Sequence, residues 1–371
     1  MSLVGIPNAV EEFSAEWLNQ VLPAFDPTLP LVSKCSARAS ETPGQTAEIV
    51  FLELQWAAED PSDLARLPTK MIAKYTSQNQ QVIDEIINVF DQYRRETSFY
   101  RDFEAPGLRV PRCYYQAFDP SRQAFVLLLE DLGPAESPSW AISSQQVSLA
   151  LSKLPALHAK WWNHSLLRDK DYFVQFDDAS FFQLGFNAAA QIAGALNEFI
   201  EDVSLTEQLM PIVAEKQEVM QSAFAQRPFT LVHGDYHAKQ LFFETAAGGE
   251  FAAIDWQFPF VAQGPWDFAR LMVLGLSIEE RRAKEQELMA AYHQALVALG
   301  VSDYSEEDLA KDFRFGLVIS HMINVIAIGS TDISLVAKEC SDLGVEWKDV
   351  MLYRGQAALE DWQVLPFIKT L

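Results

Sequence analysis

Strand-forming segments are concentrated in the first third of this chain, and most of the sequence after residue 143 has helical periodicity. Runs rich in β-branched and aromatic residues indicate four strands, over 47–55, 69–75, 112–118 and 124–130. A helical stretch over 80–104 interrupts them and ends at Pro106-Gly107. The order predicts an α+β fold, with a β-rich N-terminal lobe over 1–131 and a mostly helical C-terminal lobe over 132–371.

Helical spacing of apolar residues continues through most of the second lobe, over about 143–163, much of 179–225, 277–299, 306–328 and 350–360. A shorter amphipathic helix is predicted over 9–22. The helical pattern of the second lobe is broken once, over 231–256, where the sequence indicates loops and short strands. The most apolar run, Phe315 to Ile328, includes His321 and Asn324, which favours a buried helix over a membrane span.

The bulk composition indicates a globular protein. A length of 371 residues suits two domains, and a hydrophobic fraction of 49% is enough for a large buried core. The three cysteines are far apart and form no CxxC pair, which is typical of reduced thiols in the cytoplasm. The first residues lack the basic and apolar regions of a signal peptide, so we expect a cytoplasmic protein.

The formal net charge of -23 limits the partners that this chain is expected to bind. Such an excess repels nucleic-acid backbones and anionic lipid, so we expect neither a nucleic-acid nor a membrane-surface role. The charge would suit a cationic substrate, but solubility alone is a sufficient reason for it.

Three aspartates lie at or just after the break in the helical pattern, namely Asp235, Asp255 and Asp267. Apolar runs flank each one, which predicts that buried strands or a helix hold the carboxylates. Phosphoryl transfer needs such groups, because one carboxylate orients the attacking hydroxyl and accepts its proton while another holds Mg²⁺ against the phosphates. The sequence contains no GxSxG, HExxH, Rossmann glycine or Walker A pattern.

The motif HGD at 233–235, followed by IDW at 254–256, resembles the aminoglycoside phosphotransferase and choline kinase superfamily, which is related to the protein kinases. The segments LLLEDLGPAESP, LPALHAKWW and GPWDFARL are similar to its ecdysteroid-kinase-like branch, which has bacterial members. The resemblance extends from SAEWLNQVLP near the N-terminus to the final helices. It implies a protein-kinase-like, two-lobed fold that binds ATP and Mg²⁺ between the lobes and phosphorylates a hydroxyl group of a small molecule.

The resemblance also implies roles for individual residues. Asp235 would be the catalytic base, and Asp255 would bind Mg²⁺. Lys74, in the strand MIAKY, would contact the ATP phosphates, and Glu96 would hold this lysine in an ion pair. Such a pair is also expected on physical grounds, because a lysine in an apolar strand needs a nearby acid or phosphate.

Three further residues receive roles in the same way. Glu130 and Leu132 would lie at or just after the hinge, where backbone groups bind adenine. Asp267, in GPWDF, would be a structural acid that supports the catalytic loop. Apart from the resemblance, we expect His233 to fix that loop by a hydrogen bond.

Two positions depart from the family pattern. The family has an asparagine five positions after the base, and this chain has Gln240 there. A glutamine carbonyl is still an oxygen ligand for a second metal ion, but it is one methylene longer. The loop expected to cover the phosphates, over 37–47, contains only Gly44, where protein kinases have several glycines.

Several alternatives remain at this point. Lys74 would be a surface lysine if its strand lay at the sheet edge, and Glu85, Asp91 and Asp102 share the helical stretch of Glu96. His233 and His237 are four residues apart, but that spacing directs both rings one way only on a helix, so we expect no zinc site.

The sequence therefore predicts an ATP-dependent small-molecule kinase. A pseudokinase, which binds a nucleotide or a partner without transfer, is the alternative that Gln240 and the glycine-poor loop permit. A protein-hydroxyl kinase is disfavoured because only WQFPFVAQ separates Asp255 from the GPWDF motif, which leaves no recognisable activation segment. The acidity favours a cationic acceptor and the resemblance a bulky apolar alcohol, so neither the acceptor nor the oligomeric state follows from the sequence.

Overall fold

The structure is a computed structural model that describes residues 5–41, 46–58, 60–136, 138–175, 178–330 and 332–371. It is a mixed α+β fold, with an antiparallel sheet in the N-terminal region and a mostly helical C-terminal part, which confirms the predicted fold class. The strands are β1 Val32–Ala39, β2 Ala47–Trp56, β3 Lys70–Thr76, β4 Cys113–Asp119, β5 Ala124–Glu130, β6 Val174–Gln175, β7 Thr230–Val232, β8 Leu241–Phe242, β9 Ala252–Ala253 and β10 Phe260–Ala262.

Helices occupy most of the remaining described sequence. The α-helices are α1 Ala15–Val21, α2 Pro61–Leu64, α3 Gln80–Val82, α4 Asn88–Phe90, α5 Gln92–Asp102, α6 Ser144–Lys160, α7 Ala179–Ala193, α8 Ser204–Glu215, α9 Gln217–Ala225, α10 Pro265–Gly275, α11 Ile278–Ala298, α12 Glu306–Ser330, α13 Ile333–Asp342, α14 Arg354–Asp361 and α15 Val364–Thr370. Single 3₁₀ turns occur at Val10–Glu12, Leu22–Ala24, Ser165–Leu167, Leu196–Glu198 and Ala238–Gln240, and π-helical turns at Ile83–Ile87 and Asp349–Tyr353.

The chain divides into two compact units. The first unit consists of Met1–Glu104, Val110–Ala135 and Ala247–Phe258. The second unit consists of Ala105–Arg109, Glu136–Ala246 and Pro259–Leu371. The segment that carries Asp255 therefore packs with the N-terminal residues, although it lies far from them along the chain.

The first unit contains a five-stranded antiparallel sheet in the order β1-β2-β3-β5-β4. The four predicted strands are present as β2, β3, β4 and β5, and β1 is a fifth strand that the sequence pattern did not indicate. Strand β3 lies in the centre of the sheet, between β2 and β5. Both neighbours satisfy its backbone groups, so its side chains decide what each face of the sheet can bind or bury.

Side chains of β3 alternate between two apolar clusters, because successive residues of a strand point to opposite faces. Met71, Ala73 and Tyr75 belong to one cluster, which also contains Trp17 of α1. Ile72 packs on the other cluster, to which Leu127 of β5 belongs. Lys74 has the same parity as Ile72, so its side chain points to that second face.

The helical stretch predicted over 80–104 is interrupted in the structure. Residues 80–90 form α3, a π-helical turn and α4, and the chain then passes through Asp91, whose φ of 49° lies in the left-handed region. Aspartate tolerates that region better than most residues. Helix α5 therefore begins at Gln92 and carries Glu96 in its second turn.

The second unit contains the three-stranded sheet β6-β10-β7 and most of the helices. Serine capping boxes at Ser143 and Ser277 satisfy backbone N–H groups where α6 and α11 begin. All eleven residues of α10 are buried, and α10 packs against both α6 and α12. This central helix follows β10 directly and carries two of the charged residues described below.

Helix α12 includes the predicted buried segment Phe315 to Ile328, and its residues are mostly buried, which confirms that prediction. Among the described residues, it is the one helix long and apolar enough to cross a membrane, a property that core helices share. Two of its buried polar residues are hydrogen-bonded within the unit: His321 Nε2 lies 2.8 Å from Thr206 Oγ1, and Asn324 accepts a hydrogen bond from Arg270.

Candidate active site

A buried lysine between two carboxylates forms the charged centre of the first unit. Lys74 Nζ donates to Glu96 Oε1 at 2.9 Å and to Asp255 Oδ1 at 2.5 Å. The residue is 9% exposed, and its position in the central strand β3 rules out the alternative of an edge-strand lysine. The structure therefore brings together three of the residues that the family resemblance singled out.

Burial and the neighbouring charges together raise the pKa values of both Lys74 and Glu96. Burial would lower the pKa of Lys74, but Asp255 and Glu96 outweigh it and hold that pKa above its ordinary value. Burial raises the pKa of Glu96, and the neighbouring Asp255 adds to the effect against the opposing influence of Lys74. Two carboxylates and one ammonium leave an excess of negative charge, so the cluster can accept a further cation.

Asp255 is held beside Lys74 by its neighbours in sequence. Trp256 is fully buried and stacks on Phe99 of α5, with ring centroids 4.0 Å apart and planes 3° apart. Asp255 itself has a φ of 65°, in the left-handed region. Such strain persists only where the surrounding structure enforces it, and it is concentrated at functional sites. Gln257 Nε2 donates to Asp255 Oδ2 at 3.1 Å and so orients the carboxylate.

The second unit contains the loop that follows β7, which begins with His233 and Gly234. Asp267, in the first turn of α10, accepts the backbone N–H of His233 at 2.7 Å and that of Gly234 at 2.9 Å. Trp266 Nε1 donates to the Gly234 carbonyl at 3.0 Å. Gly234 has a φ of 83°, which a residue with a side chain rarely adopts. The loop is thus fixed through its backbone immediately before Asp235.

Three side chains surround the Asp235 carboxylate. Arg270 Nε donates to Oδ1 at 2.6 Å, His237 Nε2 lies 3.3 Å from Oδ2, and Gln240 Nε2 lies 3.5 Å from Oδ2. Burial would raise the pKa of Asp235, but Arg270, His237 and His233 outweigh it and hold that pKa well below its ordinary value. Asp235 is therefore a carboxylate at neutral pH, ready to accept a hydrogen bond from a hydroxyl group.

The ring of His237 has a defined role in this arrangement. Its Nδ1 accepts the backbone N–H of Lys239 at 3.2 Å, so the proton of the neutral ring resides on Nε2, which faces Asp235. The ring also stacks on Trp140 with centroids 5.0 Å apart. His237 thus orients the carboxylate, and it is not placed to bind a metal together with His233, whose Nδ1 accepts the Asp235 N–H.

Asp267 is supported from the opposite side by a buried pair of rings. His158 Nε2 lies 3.5 Å from Asp267 Oδ2, and His158 Nδ1 lies 2.7 Å from the hydroxyl of Tyr292. A Cβ atom on Gly264 would lie 2.4 Å from that hydroxyl and 2.7 Å from His158 Nδ1. A glycine is therefore required at position 264 for the two rings to meet.

The residues predicted to bind adenine are at the end of β5. Glu130 donates its backbone N–H to Arg112 O, and its side chain accepts the Arg112 N–H at 3.1 Å. Leu132 is buried and accepts the N–H of Ala135 through its carbonyl. Gly44 of the predicted phosphate-covering loop lies outside the described residues.

The two predicted metal ligands are in different units, Asp255 in the first and Gln240 in the second. Magnesium is usually held by one or two carboxylates together with water and substrate phosphates, and Asp255 can provide such a carboxylate. The described residues contain no group of three or more His, Cys, Asp or Glu side chains that would hold a metal by themselves. The Asp255 cluster therefore fits Mg²⁺ bound together with phosphate, but not a metal held by protein groups alone.

Sequence reasoning missed Arg270, Gln257 and the orienting role of His237. A signal for Arg270 was present, because residues three apart on a helix share a face, and Asp267 and Arg270 have that spacing. No local pattern pointed to Gln257. Its contact with Asp255 depends on the left-handed backbone of Asp255, which lies between the apolar residues Ile254 and Trp256.

Comparisons with known proteins bear on the fold and the family of this chain. A Caenorhabditis elegans protein described as an uncharacterized kinase-like protein is 28% identical over 223 residues, which are 54% of this chain and 55% of that protein. The chain thus matches about half the length of this curated relative.

Two solved structures share the fold at 12% identity each. Plasmodium vivax ethanolamine kinase has a TM-score of 0.51 and is matched over 91% of this chain and 83% of its own. A putative aminoglycoside phosphotransferase from Ralstonia eutropha has a TM-score of 0.50, over 94% and 96%. The model of the ecdysteroid kinase-like family matches residues 52–300, more than half of the sequence. The chain belongs to the ecdysteroid kinase-like family.

Proposed function

We propose that this protein is an ATP-dependent kinase that transfers the γ-phosphate to a hydroxyl group of a small molecule. The observation that carries the proposal is the Lys74 ammonium held between Glu96 and Asp255 in the first unit. A buried ammonium with this anchoring is suited to bind a phosphate, because its position is set before the ligand arrives.

In the proposed reaction, Lys74 donates hydrogen bonds to the nucleotide phosphates while Glu96 keeps the ammonium in place. Magnesium, bound through Asp255 and the phosphates, would supply positive charge that offsets the charge of the transferring group. Gln257 keeps the second oxygen of Asp255 oriented. Backbone groups around Glu130 and Leu132 are the proposed contacts for adenine.

Asp235, in the second unit, accepts a hydrogen bond from the acceptor hydroxyl and then takes its proton as the new O–P bond forms and the bond between the γ-phosphorus and the bridging oxygen of ADP breaks, which releases ADP. Its low pKa supports an orienting role above all, because a weakly basic carboxylate aligns the hydroxyl without removing its proton in advance. Asp267 contributes by holding the backbone of His233 and Gly234, and thereby the position of Asp235.

Thermal unfolding with and without ATP and Mg²⁺ tests the proposal. A ligand that binds only the folded state at 100 times its Kd stabilises it by about 2.7 kcal/mol. We expect a Mg²⁺-dependent shift with ATP in the wild type and in Asp235→Asn, and a loss of its Mg²⁺-dependent part in Asp255→Asn. ADP release should be lost in both variants. Absence of any shift in the wild type, or equal loss of ATP binding in both variants, would contradict these roles.

One observation favours a second candidate, a nucleotide-binding pseudokinase. Gln240 replaces the family asparagine, and its amide nitrogen lies 3.5 Å from Asp235. If that amide is directed away from the nucleotide, Gln240→Asn should create Mg²⁺-dependent ATP binding where the wild type has none. Mg²⁺-dependent release of ADP by the wild-type protein would exclude this candidate.

A further inference from the structure

Arg270 lies at the meeting point of two buried helices and the loop that carries Asp235. It is 4% exposed and occupies the same face of α10 as Asp267, three residues earlier. Asp267 holds the backbone of the loop, and Arg270 holds the carboxylate of Asp235. The two residues of α10 therefore bind the loop at two different points, its backbone and the Asp235 side chain.

Helix α12 fixes the guanidinium from the other side. Arg270 Nη1 donates to Asn324 Oδ1 at 3.1 Å and lies 3.5 Å from the Ser320 carbonyl. Asn324 is 1% exposed. Its amide group therefore occupies a buried position where a core helix normally has an apolar side chain. A planar guanidinium can bind the carboxylate through one nitrogen and this anchor through another, whereas an ammonium cannot reproduce both directions.

The contact with Asp235 is through Nε, at 2.6 Å. Nε is the least mobile nitrogen of the arginine side chain, because it lies before Cζ, whereas Nη1 and Nη2 are at the end of the side chain. Once Nη1 is anchored on α12, the direction of the Nε–H bond is set, and so is the side-chain rotamer of Asp235. His237 and Gln240 contact only the other oxygen, Oδ2.

We propose that Arg270 is a positioning residue for phosphoryl transfer, which fixes the Asp235 carboxylate in the orientation that receives the acceptor hydroxyl. The proposal rests on the proposed function and adds a requirement to it: α12 takes part in the reaction through Asn324 and Arg270. Misplacing a reacting group by about 1 Å can cost about 100-fold in rate, so loss of the anchor should appear in kcat.

Release of ADP from Mg²⁺-ATP, with water or a screened alcohol as acceptor, measures this effect even while the natural acceptor is unidentified. In Arg270→Gln we expect kcat to fall by about 10- to 100-fold while KM for ATP stays within about twofold. Arg270→Lys should recover part of kcat, because an ammonium can still reach Oδ1, and Asn324→Ala should show a smaller loss than Arg270→Gln.

Arg281→Gln is the matched control. Arg281 is a buried arginine of the same unit that pairs with Glu285 at 2.5 Å and with Asp361, and it makes no contact with the loop of Asp235. This variant should lower the melting temperature as much as Arg270→Gln does and leave kcat per folded molecule unchanged. A double variant, Asn324→Ala with Arg270→Gln, should lose no more kcat than Arg270→Gln alone, because Asn324 acts through Arg270.

Each outcome decides the proposal. A normal kcat in Arg270→Gln, a similar kcat loss in Arg281→Gln, or additive losses in the double variant would overturn the positioning role and leave the proposed kinase function standing. A wild-type protein that releases no ADP with any acceptor would reject the kinase function and the positioning role together. A kcat loss confined to Arg270→Gln, partly recovered by Arg270→Lys, supports the proposal.

Discussion

Replacing Asp267 by asparagine tests the account of the loop that precedes Asp235. The Asp267 side chain is fully buried, and its two oxygens accept the N–H groups of His233 and Gly234 at 2.7 and 2.9 Å. Asparagine has nearly the same shape, so the cavity is unchanged. It retains one acceptor oxygen, but it places an NH₂ group against the second backbone N–H.

The expected loss follows from these contacts. Removing the partner of a buried N–H costs about 1–3 kcal/mol, and more where that partner was charged. One backbone donor is left without an acceptor, so Asp267→Asn should destabilise the protein by about 3 kcal/mol. Domains of 150–250 residues lose about 2–4 °C per kcal/mol, which corresponds to a melting temperature lower by about 6–12 °C.

Urea unfolding and thermal unfolding measure this loss directly. Asp308→Asn is the control, because Asp308 also accepts a backbone N–H, that of Ser305, and pairs with an arginine, but it is about one-third exposed. We expect less than about 1 kcal/mol for the control, as is typical of exposed pairs. A loss below 1 kcal/mol in Asp267→Asn, or an equal loss in both variants, would refute the view that this carboxylate holds the loop.

Three further predictions follow from the structure. Lys74→Met should destabilise the protein by about 3–5 kcal/mol at pH 9, since it leaves an ionised Glu96 buried beside Asp255 without a cation; in urea unfolding the loss should be smaller at pH 5, because burial raises the pKa of Glu96 to about 7 and its carboxyl group is protonated there, and an equal loss at both pH values would contradict this. Burial lowers the pKa of His321 to about 4 from an ordinary 6.5. The folded state therefore favours the neutral ring, and up to about 3 kcal/mol of stability, present above pH 6.5, should be lost as the pH falls to 4; His321→Gln should remove that part of the pH dependence. Gly264→Ala should lower the melting temperature, because its Cβ would force apart the hydrogen-bonded His158 and Tyr292, whereas Gly5→Ala, at an exposed glycine where a Cβ would meet no atom within 4 Å, should have a small effect.

Local sequence patterns were sufficient to locate most elements of the fold. Strands β2 to β5 were predicted because their β-branched and aromatic residues are typical of buried strands. Strand β1, with the sequence VSKCSARA, was missed because an edge strand with one exposed face has few apolar residues. The break of the 80–104 helix at Asp91 was also missed, since a left-handed aspartate inside a helical pattern leaves no compositional signal.

The motifs identified the residues of the site, but they predicted less completely which side chains contact one another. The structure places Lys74, Glu96 and Asp255 in one cluster, although their roles in nucleotide binding stay a prediction. Sequence reasoning left Glu85, Asp91 and Asp102 open as partners of Lys74, and only the packing of α5 on β4 and β5 brings Glu96 to Lys74. The role of Asp235 also stays a prediction, and its arginine partner could not be identified from the motif alone.

The sequence by itself determined the α+β class, the order of elements, the family to which the chain belongs and the acidic residues available for chemistry, because each of these depends on residues close together along the chain. The tertiary structure decided which charged side chains contact one another. Lys74 and Asp255 are 181 residues apart, and Arg270 reaches Asp235 across 35 residues. Such pairs form only when buried helices and strands pack with particular faces together, and in a low-dielectric interior each buried charge must then find its partner.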